Sequence, residues 1–243
     1  MTEEEPVAPN AFPETPWTML IQARDDNTLG TNALSDLCEL YWYPVYAYIR
    51  RRGRNSHDAE DLTQAFFADF LRRNDFANAD RARGKLRSYL ATAVSHFLSQ
   101  SYRKDRAAKR GGGQPVFSID ASLAEEKYQH EPVDKLTPEK LFERRWALTV
   151  LENVLDELKQ DYSHQGKEEI FSELSGFLTG KPASSNYAEA GKKISLSEDA
   201  VKMAVHRLRK RFRNFLHRHI AATVESDAEV EGEIQWMMAA FQT

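Results

Sequence analysis

Hydrophobic positions along this chain recur every three or four residues, and no run alternates between polar and apolar residues as a β-strand would. The first helix is predicted over about 17–43, and Pro44 is expected to open a second helix that Gly53 ends. Further helices are predicted over about 56–71, 85–109, 138–162, 168–178 and 187–194, and from 198 onward. The pattern therefore predicts an all-α protein.

Two breaks, at 111–115 and at 179–186, interrupt this helical pattern, and the first of them separates two domains. Three glycines and a Gln-Pro pair at 111–115 end the predicted helix before them. From there to residue 137 the sequence is acidic and poorly periodic, so we predict a flexible linker over 111–137. The predicted organisation is two helical domains, 17–110 and 138–222, followed by an acidic C-terminal extension over 223–243.

The net charge of −4 conceals a strong segregation of charge. Residues 41–110 carry a balance of +8 and residues 181–220 carry +7, whereas segments 1–40, 111–180 and 221–243 carry −7, −7 and −5. Two basic blocks between acidic segments predict two separate contacts with a polyanion such as nucleic acid.

The second basic block has the layout of a helix-turn-helix over 187–213. A short helix is followed by the turn Ser195–Ser197 and by a longer basic helix, which Ser197 is predicted to cap. Leu196 and Val201 stand at the positions of a hydrophobic staple. A solvated basic surface helix is the alternative. Side chains suited to base edges are Ser197, Asp199, Ala200, Lys202, Met203 and His206, and those suited to phosphates are Arg207, Arg209, Lys210, Arg211 and Arg213.

The segments Tyr187–Lys202 and His206–Arg211 resemble the last domain of bacterial RNA polymerase sigma factors of the extracytoplasmic-function (ECF) type. The resemblance extends over roughly residues 30–220, and the order of its motifs makes it specific. It implies that the helix-turn-helix side chains named above, apart from Arg211, contact the −35 promoter element. It also implies core RNA polymerase and promoter DNA as partners, and it leaves room for an anti-sigma factor or another regulator.

The first basic block resembles the other domain of the same family. The helix around Asp58–Phe67 is similar to the core-polymerase-binding helix, which implies contacts through Asp58, Asp61, Gln64 and Phe67. Its periodicity turns Leu62, Phe66 and Phe70 inward and leaves those four side chains exposed. The segment from residue 85 resembles the part that melts and reads the −10 element, which implies DNA contacts through Lys85, Arg87, Tyr89, His96, Gln100, Arg103 and Lys104.

The chain also departs from the usual family pattern. Tyr89, His96 and Gln100 stand where Trp, Asn and Asp are more usual, and Leu158 does not begin the customary Leu-Pro-x-x-x-Arg stretch. These departures indicate a variant subgroup of the family, which also has a long linker and an acidic C-terminal extension.

The acidic extension offers two interpretations. Ile234, Met237, Met238 and Phe241 could form one apolar helical face. The extension could fold back on a basic block and gate DNA binding, or it could be a solvated tail with a docking helix.

Motifs that would indicate an enzyme are missing from the sequence. There is no phosphate-binding loop, dinucleotide fingerprint or nucleophile elbow, and Cys38 is the only cysteine. We therefore predict a cytoplasmic, non-enzymatic protein with no cofactor, no metal and no membrane contact. The predicted function is a sigma factor; a free-standing helix-turn-helix regulator and a decoy that binds polymerase without DNA are the alternatives.

Overall fold

In a computed structural model, the described residues are 27–73, 86–105, 121–130, 136–180, 186–224 and 226–241, and within these ranges every regular element is a helix. The predicted all-α fold is confirmed. The helices are α1 Asn27–Arg51, α2 Ser56–Arg73, α3 Leu86–Asp105, α4 Ala121–Gln129, α5 Pro138–His164, α6 Glu168–Leu174, α7 Gly176–Thr179, α8 Tyr187–Lys193, α9 Glu198–Ala221 and α10 Asp227–Ala239.

Helix α1 continues through Pro44, so the predicted helix boundary at this residue is wrong. A proline inside a helix removes one backbone hydrogen bond and is unfavourable in isolation. Here the residues on both sides of it are buried, with Tyr41 and Val45 at 0% exposure, so tertiary packing outweighs the local penalty. The part of the predicted first helix that precedes residue 27 lies outside the described residues.

The larger hydrophobic core forms where α1 packs along the N-terminal half of α5. Phe142 of α5 stacks on Tyr41 at 6.3 Å between ring centroids and meets Tyr48 edge-on at 6.5 Å. Helices α2 and α3 add Phe66, Leu90 and their buried neighbours to the same core. The two predicted domains therefore share one core, because α5 begins the second of them; their boundaries stay a prediction.

Helix α4 lies inside the segment predicted to be a flexible linker. Glu125 accepts two hydrogen bonds from the Arg50 guanidinium, at 2.9 and 2.8 Å, and one from the Tyr46 hydroxyl. The guanidinium also lies over the Tyr128 ring, 4.7 Å from its centroid. Within the predicted linker, residues Ala121–Gln129 therefore form a helix docked on α1, because a charged pair supplements its short apolar face.

A second core joins the C-terminal half of α5 to α6, α8 and α9. Leu158 and Tyr162 of α5 pack with a buried stripe of α9 that includes Val201, Val205 and Leu208. The single helix predicted over 168–178 is instead two short helices, α6 and α7, which are separated at Ser175.

The C-terminal extension folds back on the larger core as α10. Val230 and Met237 are fully buried, whereas Met238, which was predicted on the apolar face, is 51% exposed. Helix α10 contacts both α5 and α9. Among the described helices, none combines the length and apolar character that crossing a bilayer requires.

Candidate nucleic-acid interface

The turn between α8 and α9 is closed by its backbone. The Leu196 N–H donates to the Gly191 carbonyl at 2.9 Å, while Ser195 adopts a left-handed conformation with φ of 56°. This is the arrangement of a Schellman motif, in which glycine usually takes the left-handed position. A Cβ at Gly191 would lie 2.4 Å from the Leu196 carbonyl oxygen, so the turn requires glycine at that position.

The N-terminus of α9 is capped as the sequence predicted. The Ser197 hydroxyl accepts from the Ala200 N–H at 3.3 Å, which satisfies one of the open donors of the first turn. Lys202 pairs with Glu198 at 2.9 Å and with Asp199 at 3.3 Å. Hydrogen bonds to these two carboxylates raise the pKa of Lys202, so its ammonium group stays charged.

Helix α9 presents two opposite faces. Val201, Val205 and Leu208 are buried against the second core, as predicted. On the opposite side the helical period aligns one continuous exposed stripe, in which Met203 is 56% exposed. The stripe consists of Asp199, Met203, His206, Lys210 and Arg213. These five predicted DNA-binding residues share one accessible surface, and Ala200 is half-buried beside it.

The remaining cations of α9 divide into two groups. Arg207 and Arg209 flank the exposed stripe, and Arg209 donates to the Phe177 carbonyl at 3.2 Å. Arg211 instead turns towards α5, where it donates to Asp161 at 2.6 Å and lies 5.4 Å from the Tyr162 ring centroid. Glu157 of α5 accepts from Arg218 at 2.8 Å. The C-terminal cations therefore fix α9 on α5.

A groove of about 320 Å³ lies between α2 and α3. Three of the residues predicted to contact the −10 element, Tyr89, His96 and Gln100, line it together. Tyr89 is half-buried and contacts Phe70 with ring centroids 6.2 Å apart, whereas His96 and Gln100 are exposed. The groove thus combines a flat aromatic wall with exposed polar groups at one rim.

The outer face of α2 keeps three of its four predicted residues accessible. Asp58 and Asp61 are exposed, with the Asp61 side chain at 67%, and Gln64 is half-buried. Asn55 caps the helix, because its side-chain oxygen accepts from the Asp58 N–H at 2.8 Å. The predicted exposure of Phe67 is wrong: this side chain has 0% exposure and packs edge-on against Phe66.

Arg87 does not lie at the groove, although it was grouped with the residues that line it. Its side chain is 6% exposed and pairs with Glu233 of α10 and Glu143 of α5. Burial raises the pKa of the Glu143 carboxyl, although Arg87 opposes that change. Lys85 lies outside the described residues; Arg103 and Lys104 belong to α3, but their side chains lie outside the described part of the chain.

The partners of Arg87 were not predicted from the sequence. Glu233 stands at helical spacing between the buried residues Val230 and Met237, so it occupies an apolar face of α10. A lone carboxylate at such a position is a signal for a buried partner, because an unpaired charge there would be strongly unfavourable. In the described ranges, no group of three or more histidine, cysteine, aspartate or glutamate residues could hold a metal ion.

Comparison with known protein families gives a match over most of the chain. The family description "ECF sigma factor" matches residues 23–218, which include α1 to α8 and nearly all of α9. This chain belongs to the ECF sigma factor family. The predicted resemblance is therefore confirmed, and it covers both the α2–α3 groove and the exposed stripe of α9.

A curated relative gives a second comparison. The chain is 24% identical over 182 residues to "ECF RNA polymerase sigma factor SigE" of Mycolicibacterium smegmatis. The match covers 75% of this chain and 61% of the relative, so the chain spans less than two thirds of that ECF sigma factor. No solved structure matches the chain.

Proposed function

We propose that this ECF sigma factor family member directs core RNA polymerase to promoters and initiates transcription there. The observation that carries this proposal is the exposed stripe of α9, in which polar, apolar and cationic side chains follow one another along one accessible face. Family membership supports the same function. The chain itself catalyses nothing in this proposal, because binding energy drives strand opening and polymerase performs the chemistry.

In this function α9 reads the −35 element from the major groove. The N-terminal part of the stripe offers Asp199, Met203 and His206, whose side chains are short or flexible enough to reach base edges. Met203 suits an apolar contact with a thymine methyl group. Lys210 and Arg213 follow two and three turns after Met203, where cations meet phosphates and fix the register of the helix.

The α2–α3 groove opens the −10 element. An unpaired base needs a flat surface on which to stack and polar groups that bind its edge. Tyr89 provides an aromatic surface inside the groove, and His96 and Gln100 provide hydrogen-bonding groups at its rim. Stacking and edge contacts together offset the free energy of breaking a base pair.

The outer face of α2 binds core polymerase. Asp58 and Asp61 form an acidic face in an otherwise basic segment, and such a face suits a basic protein surface better than DNA. Gln64 adds an amide one turn further along. Phe67 supports this face from beneath, since its ring packs into the core below the helix.

Run-off transcription with purified core polymerase tests the proposal. The wild-type chain should direct initiation on genomic fragments and should be retained by core polymerase in a pull-down. Asp61→Arg should abolish both results, because it places a cation on the acidic face of α2. Asp156→Arg makes the same change of charge at an exposed position of α5 and should retain both results.

One outcome would favour a different function. If the chain binds DNA specifically but neither wild type nor Asp156→Arg binds core polymerase, the acidic face of α2 is a solvated surface. The chain would then be a free-standing helix-turn-helix regulator.

A further inference from the structure

The contact between α3 and α10 is a buried ion pair. The Arg87 Nε donates to Glu233 Oε1 at 2.5 Å, and its Nη2 donates to Oε2 at 3.3 Å. The two side chains are 6% and 1% exposed. They are separated by 146 positions in the sequence, so the pair joins the first basic block to the acidic C-terminal extension.

Aromatic rings enclose this pair. The Arg87 guanidinium lies 3.2 Å from the centroid of the Trp236 ring and 5.7 Å from that of Trp146. The two indole rings contact each other, with centroids 6.1 Å apart. A buried charge pair is tolerated only when hydrogen bonds and neighbouring groups compensate for lost hydration, and these contacts provide that compensation.

This arrangement withdraws Arg87 from nucleic acid. A guanidinium binds a carboxylate and a phosphate through the same two-pronged geometry, so Glu233 engages donors of Arg87 that could otherwise bind a phosphate. Helix α10 also contacts α5 and α9. One short helix therefore connects the helix that carries the groove to the helix that carries the exposed stripe.

We propose that α10 is an intramolecular latch, in which the Glu233 carboxylate takes the place of a promoter phosphate on Arg87 until DNA displaces it. This inference rests on the proposed function, since it describes how DNA binding by the same chain is regulated. The latched form holds α3 and α9 at fixed positions on α5. The released form adds Arg87 to the cations available to DNA.

The latch reduces the apparent affinity of the isolated chain for DNA to the affinity of the released form multiplied by the fraction of molecules in which α10 is released. Weakening the latch should therefore strengthen DNA binding. A helix that only stabilises the fold would behave differently, since its weakening would leave affinity unchanged or reduce it. The direction of the change in affinity separates a latch from a structural contact.

The test compares two variants of the full chain that remove the same charge from the same helix. Glu233→Gln removes the carboxylate that pairs with Arg87, whereas Glu231→Gln removes an exposed carboxylate nearby. The probe is a labelled mixed-sequence DNA duplex at low salt, and affinity is measured by fluorescence anisotropy. We expect Glu233→Gln to bind at least about threefold more tightly than Glu231→Gln. Equal affinities, or weaker binding by a folded Glu233→Gln, would overturn the latch.

Hydrogen exchange provides a readout that does not depend on DNA. Backbone amides of the first turns of α3 should lose protection in Glu233→Gln and keep it in Glu231→Gln. Trp236→Phe is the second variant if Glu233→Gln does not fold, because it keeps a ring but weakens the attraction to Arg87. Trp236→Phe should change DNA affinity and hydrogen exchange in the directions expected for Glu233→Gln.

The same set of experiments separates the latch from the proposed function. If the wild-type chain initiates transcription while Glu233→Gln and Glu231→Gln bind DNA with the same affinity, only the latch is wrong. If the wild-type chain fails to initiate but Glu233→Gln alone gains DNA affinity, the proposed function is wrong and the latch stands.

Discussion

Helices α3 and α9 both carry cations of the two basic blocks, yet the structure uses those cations in opposite ways. Arg87 of α3 is enclosed by Glu233 and two tryptophan rings. Lys210 and Arg213 of α9 project from its exposed stripe. The two helices differ because α3 is covered by α10 near its start, whereas the stripe of α9 faces away from the core that holds the helix.

This difference shows that segment charge and available charge are separate properties. The charge of a block determines the electrostatic potential around it. Burial then decides which individual cations can reach a partner. Arg50 is an intermediate case, because it also pairs with a glutamate but is 18% exposed.

The strongest test of this contrast removes one cation from each helix. Arg87→Ala should lower the free energy of unfolding by about 3–5 kcal/mol, because it removes the guanidinium that pairs with the buried Glu233 carboxylate. Arg213→Ala should change it by no more than about 0.5 kcal/mol, because this side chain is exposed. Urea unfolding followed by circular dichroism measures both values. Similar losses for the two variants would show that burial does not separate the two helices.

The second test concerns the turn that sets the position of α9. Gly191→Ala should destabilise the protein by about 1–3 kcal/mol, because its methyl group would collide with the Leu196 carbonyl oxygen. Gly232→Ala is the matched control, since nothing lies within 4 Å of the added methyl group inside α10. That change should stabilise the protein by up to about 1 kcal/mol. Thermal unfolding gives both values, and the same sign for both would contradict the close approach at Gly191.

The contribution of the Arg50–Glu125 pair to stability has a predicted pH dependence. Burial alone would raise the pKa of Glu125, but hydrogen bonds from Tyr46 and Arg50 outweigh it and hold the pKa below its usual value. A lowered pKa contributes stability that is complete above the unfolded-state value, about 4.3, and is lost as pH falls through the folded-state value.

Glu125→Gln should therefore cost about 1–2 kcal/mol at neutral pH and less below about pH 4. Glu126→Gln, at an exposed position of the same helix, should cost little at either pH. Unfolding by urea at the two pH values checks both expectations. A loss for Glu125→Gln that does not depend on pH would mean that packing, and not the charged pair, holds α4.

The smallest expected effect belongs to a single exposed cation of α9. Lys210→Ala should weaken promoter binding by less than about tenfold and reduce the salt dependence of binding by about one phosphate contact, without changing stability. Titrations at several salt concentrations measure the slope of the logarithm of DNA affinity against the logarithm of salt concentration. Arg211→Ala is the comparison, because its pairing with Asp161 predicts a change in stability and an unchanged slope.

Local features of the fold were predictable from neighbouring residues. The Ser197 cap, the buried stripe of α9 and the start of α5 at Pro138 all agree with the structure. Each depends on interactions within a few residues, and these are encoded by helical period and capping chemistry. The family resemblance, which was drawn from such local motifs, is confirmed over residues 23–218.

From the sequence alone follow the all-helical fold, the buried face of α9 and the segregation of charge. The tertiary structure alone decided that Pro44 lies inside α1, that Phe67 is buried and that Arg87 pairs with Glu233. These outcomes depend on segments far apart in the chain. A helical period shows that one face is apolar, but only packing shows which distant residue covers its edge and whether a charge there meets water or a partner.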